Sequence, residues 1–187
     1  MDREKTCTTG IMIRESRLTR WLPPPVGWMK VNTDGACHTE DGLAACGGVI
    51  RNDIGAWQVG FSRFLGICSV FEGICSVFES ELWGMYMGLI CSWELGTRQV
   101  ILESDSLEAV MAVQRIGSGI ARVTMLQYIE ELLKRDWVVR VQHVPRQVNR
   151  AADCMASIEG RNQLECVKFI VPPDAVLGAL HNDAAYD

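Results

Sequence analysis

Two strand-like runs that each end on an aspartate, with a helical pattern between them, confine this chain to α/β folds in which later strands are reached by helical crossovers. Met29-Lys30-Val31-Asn32-Thr33-Asp34 alternates apolar or β-branched with polar residues, the period of a half-buried strand, and Gly35 follows it. Gln99-Val100-Ile101-Leu102-Glu103-Ser104-Asp105 is a nearly continuous apolar strand that also closes on an acid. Between them, Leu82, Met85, Tyr86, Leu89 and Trp93 recur at spacings of three and four, which predicts a helix from about Val77 to Leu95 that Gly96 stops.

The remaining elements follow from the same patterns. Gly47 to Arg51 and Ala56 to Ser62 read as two strands joined by the turn residues Asn52-Asp53-Ile54-Gly55. Helical patterns cover Ser106 to about Arg115, Thr124 to Arg135 and Asn149 to Ser157, and Trp137 to His143 reads as a strand. The order βββαβααβα is that of an α/β domain whose later strands are parallel. Trp21-Leu22-Pro23-Pro24-Pro25-Val26-Gly27 cannot continue a helix or enter a central strand, so residues 1–26 are expected to be a polar arm and proline-rich linker. The domain is expected over 27–160, with 161–187 as a tail. Gly66-Ile67-Cys68-Ser69-Val70-Phe71-Glu72 is repeated without change as Gly73 to Glu79, and one such repeat builds no solenoid. It reads as a local duplication that lengthens the approach to the first long helix.

Composition narrows the class further. Of 187 residues, 48% are hydrophobic and 22% charged, the profile of one globular domain with modest tails. The richest apolar stretch, Leu82 to Leu95, is broken by Gly84, Gly88, Ser92 and Glu94, so no membrane span is expected. Eight cysteines without a C-x-x-C pair, and no signal-peptide pattern, point to free thiols in a reducing, intracellular compartment, nucleus or cytoplasm.

Asp34, Glu81 and Asp105 stand at element ends or on the helix near them, and Asp153 lies on the last helix. Taken singly, each has an ordinary role open to it: Asp34-Gly35 as a turn, Asp105 as a helix cap with Glu108, Glu81 and Asp153 as solvated helical acids. Gly84 and Gly88, three and seven positions after Glu81, open that side of the helix to close approach by another backbone. Carboxylates at the ends of adjacent parallel strands repel one another unless a counter-charge is present, and oxygen-only ligands suit magnesium or manganese. Two such ions, about 3.5–4 Å apart, clamp the attacking and leaving oxygens of an in-line phosphodiester displacement. The four acids account for four of the five net negative charges, so a pI near 5.3 is compatible with a nucleic-acid partner once divalent ions are bound.

Five stretches in order carry a resemblance: Gly27 to Ala36, Gly47 to Arg51 with Gly60 to Arg63, Glu79-Ser80-Glu81-Leu82-Trp83, Ile101 to Ser106, and His143-Val144-Pro145-Arg146 with Asn149 to Asp153. Over about Trp21 to Glu159 the chain resembles the ribonuclease H type 1 domain, in the plant version associated with non-LTR retroelements and reverse-transcriptase-like proteins. The resemblance implies a mixed five-stranded sheet, three antiparallel then two parallel strands, flanked by helices, with the strands bearing Asp34 and Asp105 adjacent. It implies that Asp34, Glu81, Asp105 and Asp153 hold two Mg2+ or Mn2+ ions. His143, ten residues before Asp153, is the implied mobile catalytic histidine, assisting proton transfer or product release. Asn149 is expected to orient the Asp153 carboxylate or contact substrate, and Arg146 and Arg150 to meet phosphates. The implied activity is metal-dependent endonucleolytic hydrolysis of the RNA strand of RNA–DNA hybrids. The implied partners are the hybrid and a reverse transcriptase on another chain, with a monomeric state and no membrane.

Two readings stay open beside the enzyme. Ile67, Val70 and Phe71 in the first repeat copy are apolar, and their placement near Glu81 would spoil the acid geometry, leaving a catalytically impaired nucleic-acid-binding module or a retroelement remnant. Glu79 of the second copy, which keeps its spacing to Glu81, is expected to serve in place of Glu72. The basic residues Lys134, Arg135, Arg140, Arg146 and Arg150 are interleaved with Glu130, Glu131 and Asp136, so a solvated mixed-charge face competes with a phosphate-binding one.

Overall fold

The computed structural model describes residues 20–37, 42–67, 76–117, 123–158 and 165–184. Along the chain these form β1 (Met29–Cys37), β2 (Leu43–Arg51), β3 (Trp57–Ile67), α1 (Val77–Glu94), β4 (Gln99–Ser104), α2 (Leu107–Gln114) and α3 (Thr124–Leu133). They continue with β5 (Val138–His143), a 3-10 turn over Arg146–Val148, α4 (Arg150–Ala156), β6 (Val167–Phe169) and α5 (Asp174–Ala184).

Local chemistry explains the joints. Asn52 Oδ1 accepts the N–H groups of Ile54 and Ala56, and Gly55 takes φ 78°, so the predicted turn residues close β2 onto β3. A capping box starts α1: Ser76 Oγ accepts the Glu79 N–H at 3.2 Å, and Glu79 accepts the Ser76 N–H at 2.9 Å. The second copy of the repeat therefore supplies the helix start, with Glu79 as its cap partner. Residues 68–75, which hold the rest of the duplication, lie outside the described residues. Gly96, at φ 76°, follows α1 and ends it.

The sheet order is β5-β4-β1-β2-β3-β6. β1 pairs antiparallel with β2 and β2 with β3, while β1–β4 and β4–β5 are parallel, which is the expected mixed five-stranded core. The sixth strand is a correction. Within the expected tail, residues 165–184 belong to the fold: β6 pairs antiparallel with the outer edge of β3, and α5 packs on α4 through Val176 and Ala179. A three-residue strand is too short for period-2 alternation to reveal, and it exists because β3 offers a free edge.

The linker needs the same correction at its end. Trp21 is 5% exposed, packs with Val144 and Val148, and lies over the Arg51 guanidinium at 3.5 Å. Residues 20–26 thus begin on the surface of the domain, not beyond it.

Helices cover both faces of the sheet. One face holds the main core, where Val31, Ile50, Phe61 and Leu102 meet α1, α2 and α3 through Leu82, Met85, Val110 and Ile129. On the other, Val49 meets Ala151 and Met155 of α4 and Val176 of α5. Among the described residues, Cys37, Cys46, Cys91, Cys154 and Cys166 are not joined to one another by disulfides. Among the described residues no helix is long and apolar enough to cross a membrane.

Candidate metal and nuclease site

Parallel pairing of β1 with β4 ends at Thr33 opposite Ser104, so Asp34 and Asp105 are the next residues on two adjacent strands. This is the carboxyl-end crevice of an open α/β sheet, the usual place for a ligand site. Asp105 is free for that role because its neighbours do the local capping. Ser106 is the N-cap of α2 and accepts the Ala109 N–H, and Ser104 Oγ accepts the Ser106 N–H.

Glu81 arrives from α1 because two glycines remove the obstacles. A Cβ on Gly35 would lie 2.3 Å from the Glu81 backbone nitrogen, and one on Gly84 would lie 3.0 Å from the Asp34 carbonyl oxygen. Gly84 therefore does what its spacing implies, letting the helix lie against β1, while Gly88 faces the Val31 and Thr33 side chains. Gly35→Ala, placed against backbone that cannot swing away, is expected to cost about 2–3 kcal/mol in urea unfolding. An unaltered midpoint would show that α1 stands off the strand.

Carboxylate oxygens of Asp34, Glu81 and Asp105 lie within 4.8 Å of one another. Asp34 is 7% and Glu81 6% exposed. Burial, then the charges of Glu81, Asp105 and Asp153, push the Asp34 carboxyl up to about 9. Burial and Asp105 raise Glu81 to about 7, against hydrogen bonds from Ser104 Oγ (3.2 Å) and the Gly35 N–H and the charge of Arg146. The cluster is thus short of positive charge for the negative charge it would carry at neutral pH.

The other expected residues stand around this triad. Asp153 is outside the tight group and 42% exposed, with Arg146 Nη2 3.3 Å from its Oδ1. His143 ends β5 opposite Ser104, and its Nε2 lies 3.2 Å from the Asp105 carbonyl oxygen. Arg150 is exposed at the start of α4. Asn149 differs from expectation. It is 1% exposed and its amide donates to Asp105 Oδ1 (3.1 Å) and the Thr33 carbonyl (2.9 Å), so it orients Asp105 and not Asp153. The reason is α4, whose Met155–Ala156 backbone would lie 2.3–2.4 Å from a Cβ at Gly47, the residue paired with Asp34. That close approach presses Asn149 under the acids.

The basic residues do not form one patch. Lys134 is paired with Glu130 and Glu131, Arg135 stacks on Trp93, and Arg140 stacks on Trp28. Arg146 is left beside the acids, with Arg150 four residues on at the start of α4.

A model of the family described as reverse transcriptase-like matches residues 32–158, more than half of the chain. The chain belongs to this family. An Arabidopsis thaliana protein provisionally named a ribonuclease H protein is 40% identical to this reverse transcriptase-like chain over 174 residues, 91% of the chain. The chain spans only 26% of that relative's length. Among solved structures, the ribonuclease H1 of the archaeon Halobacterium salinarum superposes with a TM-score of 0.56 at 21% identity, over 69% of this chain and 94% of its own. LC11 ribonuclease H1, solved with an RNA/DNA hybrid, gives 0.55 at 20% identity, over 68% and 92%. The foamy viral protease-reverse transcriptase, also solved with a hybrid, gives 0.54 at 14% identity, covering 84% of this chain and 22% of that one. These likenesses establish the ribonuclease H-like fold.

Sequence reasoning about this reverse transcriptase-like domain missed the layer beneath the acids. Asn32 and Glu103 are paired rungs of β1 and β4, buried, with Asn32 Nδ2 donating to Glu103 Oε2 at 2.8 Å. Glu103 also takes Lys30 Nζ at 2.9 Å and Gln142 Nε2 at 2.7 Å. The signal was present: residues two before Asp34 and Asp105 share their face of the sheet, and polar residues there need partners.

Proposed function

We propose that this domain is a metal-dependent endonuclease that hydrolyses the RNA strand of RNA–DNA hybrids. The observation that carries the reading is the triad Asp34, Glu81 and Asp105, the first two buried and the third half-buried, placed just past the last paired residues of β1 and β4. Its donors fit Mg2+ or Mn2+: all are carboxylate oxygens, they converge within 4.8 Å, and burial together with the neighbouring carboxylates raises Asp34 and Glu81. Two such ions, held by the triad with Asp153 at its edge, would supply Lewis acidity to the scissile phosphate and to the attacking water. The reverse transcriptase-like family and the ribonuclease H relatives support the same substrate class.

The chain's own residues then have distinct tasks. Asn149 and the Gly35 N–H hold Asp105 and Glu81 in fixed orientations, so little reorganisation is needed as charge develops. His143 stands beside Asp105 with its ring partly buried, placed to take or return a proton at the edge of the cluster. Arg146, paired with Asp153 in the protein by itself, is poised to exchange that partner for a backbone phosphate. Recognition through the 2′-hydroxyl and hybrid shape predicts cleavage with little sequence preference.

The test is cleavage of end-labelled duplexes in Mg2+ or Mn2+. The RNA strand of a hybrid is expected to be cut, an all-DNA duplex of the same sequence left whole, and His143→Ala to slow cutting by about 10²-fold. Failure of the full chain to cut, with cutting restored in a variant lacking Gly66 to Glu72, would place a defect in the repeat. Failure of both would replace the enzyme with the nucleic-acid-binding reading.

A further inference from the structure

The hydrogen bonds beneath Asp105 run in one direction, and they begin outside the stretch that the family match covers. Trp21 Nε1 donates to Asn32 Oδ1 at 2.8 Å, and Arg51 Nη2 donates to the same oxygen at 3.3 Å. Asn32 Nδ2 donates to Glu103 Oε2 at 2.8 Å and to Asn149 Oδ1 at 3.3 Å. Asn149 Nδ2 donates to the Thr33 carbonyl and to Asp105 Oδ1. Asn32 thereby uses two donors and two acceptor positions, and Asn149 uses both donors, which is what an amide can offer. Neither amide can turn over: a reversed Asn149 would set its oxygen against Thr33 O and Asp105 Oδ1, and its NH2 against that of Asn32. Both are 0–1% exposed, so water is not at hand to repair a broken link.

Trp21 precedes the matched residues 32–158 by eleven positions and is held in place from three sides. Its ring lies 3.5 Å from the Arg51 guanidinium, Arg51 is paired at 2.7 Å with Asp183 of α5, and Lys30 Nζ reaches the neighbouring Leu22 carbonyl at 2.7 Å. We propose that Trp21 is a remote positioning residue for Asp105: its indole N–H fixes Asn32, Asn32 fixes Asn149, and Asn149 holds the Asp105 carboxylate in its place in the acid cluster. The inference rests on the reading of that cluster as a metal site. It extends the functional unit beyond the matched residues 32–158, because a side chain outside them sets the aim of one acid. Outer partners of metal ligands typically govern affinity by 10- to 100-fold.

The test is Mn2+ titration calorimetry on the full chain, with melting curves for every variant. Trp21→Phe keeps an aromatic ring over Arg51 and removes the N–H. It is expected to weaken Mn2+ binding about 5-fold, and Asn149→Ser about 10-fold. The double variant is expected to bind no more weakly than Asn149→Ser, since both act through one chain of bonds. In hybrid cleavage Trp21→Phe should lower kcat and leave KM for the hybrid unchanged. Trp137→Phe is the control: it removes another indole bond, 2.8 Å to the Leu132 carbonyl, remote from the acids, and should lower the melting temperature while binding Mn2+ as the wild type does. If Asn149→Ser lacks a cooperative melt, Asn32→Ser closes the cycle in its place. Unchanged Mn2+ affinity in Trp21→Phe, equal weakening in Trp137→Phe, or losses that multiply in the double variant would each overturn the inference. A wild-type chain that binds no Mn2+ would instead overturn the proposed function, and this inference with it.

Discussion

Asp34→Asn is expected to abolish hybrid cleavage and, in the absence of metal, to make the domain more stable. Loss of one carboxylate of the proposed metal site should remove at least about 4 kcal/mol of transition-state stabilisation, three decades in rate. The stability gain has a separate cause. Asp34 is buried among Glu81, Asp105 and Asp153, and its carboxyl is pushed from 3.8 to about 9. Between roughly those two values the folded state binds more protons than the unfolded one, so metal-free stability falls as pH rises through that window. An amide carries no such penalty, and the mutual repulsion goes with it. We expect a gain of about 2 kcal/mol at pH 8, roughly 4–8 °C in Tm, measured in chelator. The advantage should shrink as pH falls, and be gone below about pH 3, where the wild-type acid is protonated in both states. Mg2+ should reverse the ranking, because it stabilises only the protein whose ligands are complete. A metal-free Asp34→Asn protein that melts at or below the wild type at pH 8 would show that the carboxylates do not share one buried site.

Ending the chain at residue 160, where the pattern of the sequence places the boundary, is expected to cost at least about 5 kcal/mol. Arg51 is 2% exposed at its side chain and pairs with Asp183, which is 11% exposed. Burial already lowers the Arg51 guanidinium from its ordinary range, and Asp183 opposes that. Removing Asp183 leaves a buried cation short of its partner, worth about 3–5 kcal/mol. The same truncation uncovers the α4 face now covered by Val176 and Ala179, and frees the β3 edge now paired with β6. The buried Val176 adds about 1.5–2 kcal/mol. Urea unfolding of the two lengths decides the matter, with Asp183→Ala as the single-residue version at about 3 kcal/mol. Equal midpoints for all three would mean that residues 165–184 merely rest on the domain.

The acids were legible for a physical reason. A period-2 run that ends on Asp, and a second apolar run that does the same, put two carboxylates beyond the last rung of neighbouring strands once β1 and β4 pair. Glu81 was legible through Gly84, whose missing side chain makes sense only against a close backbone. Asn149 was legible as a neighbour of the acids, but not in which acid it bonds. Its spacing from Asp153 along one helix suggested a partner on that helix, whereas the approach of α4 to Gly47 turns it toward Asp105 on another element. The sixth strand and the burial of Trp21 left no trace in periodicity, because each depends on what a distant segment offers: an open edge at β3, or a guanidinium at Arg51.

By itself the sequence determined the order of elements from β1 to α4, the mixed five-stranded core of the sheet and the identity of the converging acids, since these follow from local alternation, helical spacing and residue chemistry that neighbouring positions already contain. Only the tertiary structure decided how near the carboxylates come, which amide holds which acid, and how far the folded unit extends. Those are distances between residues from 23 to 132 positions apart, such as Glu81 and Ser104 or Arg51 and Asp183. No local pattern encodes them, because they are fixed by which faces pack and which buried polar groups must find a partner.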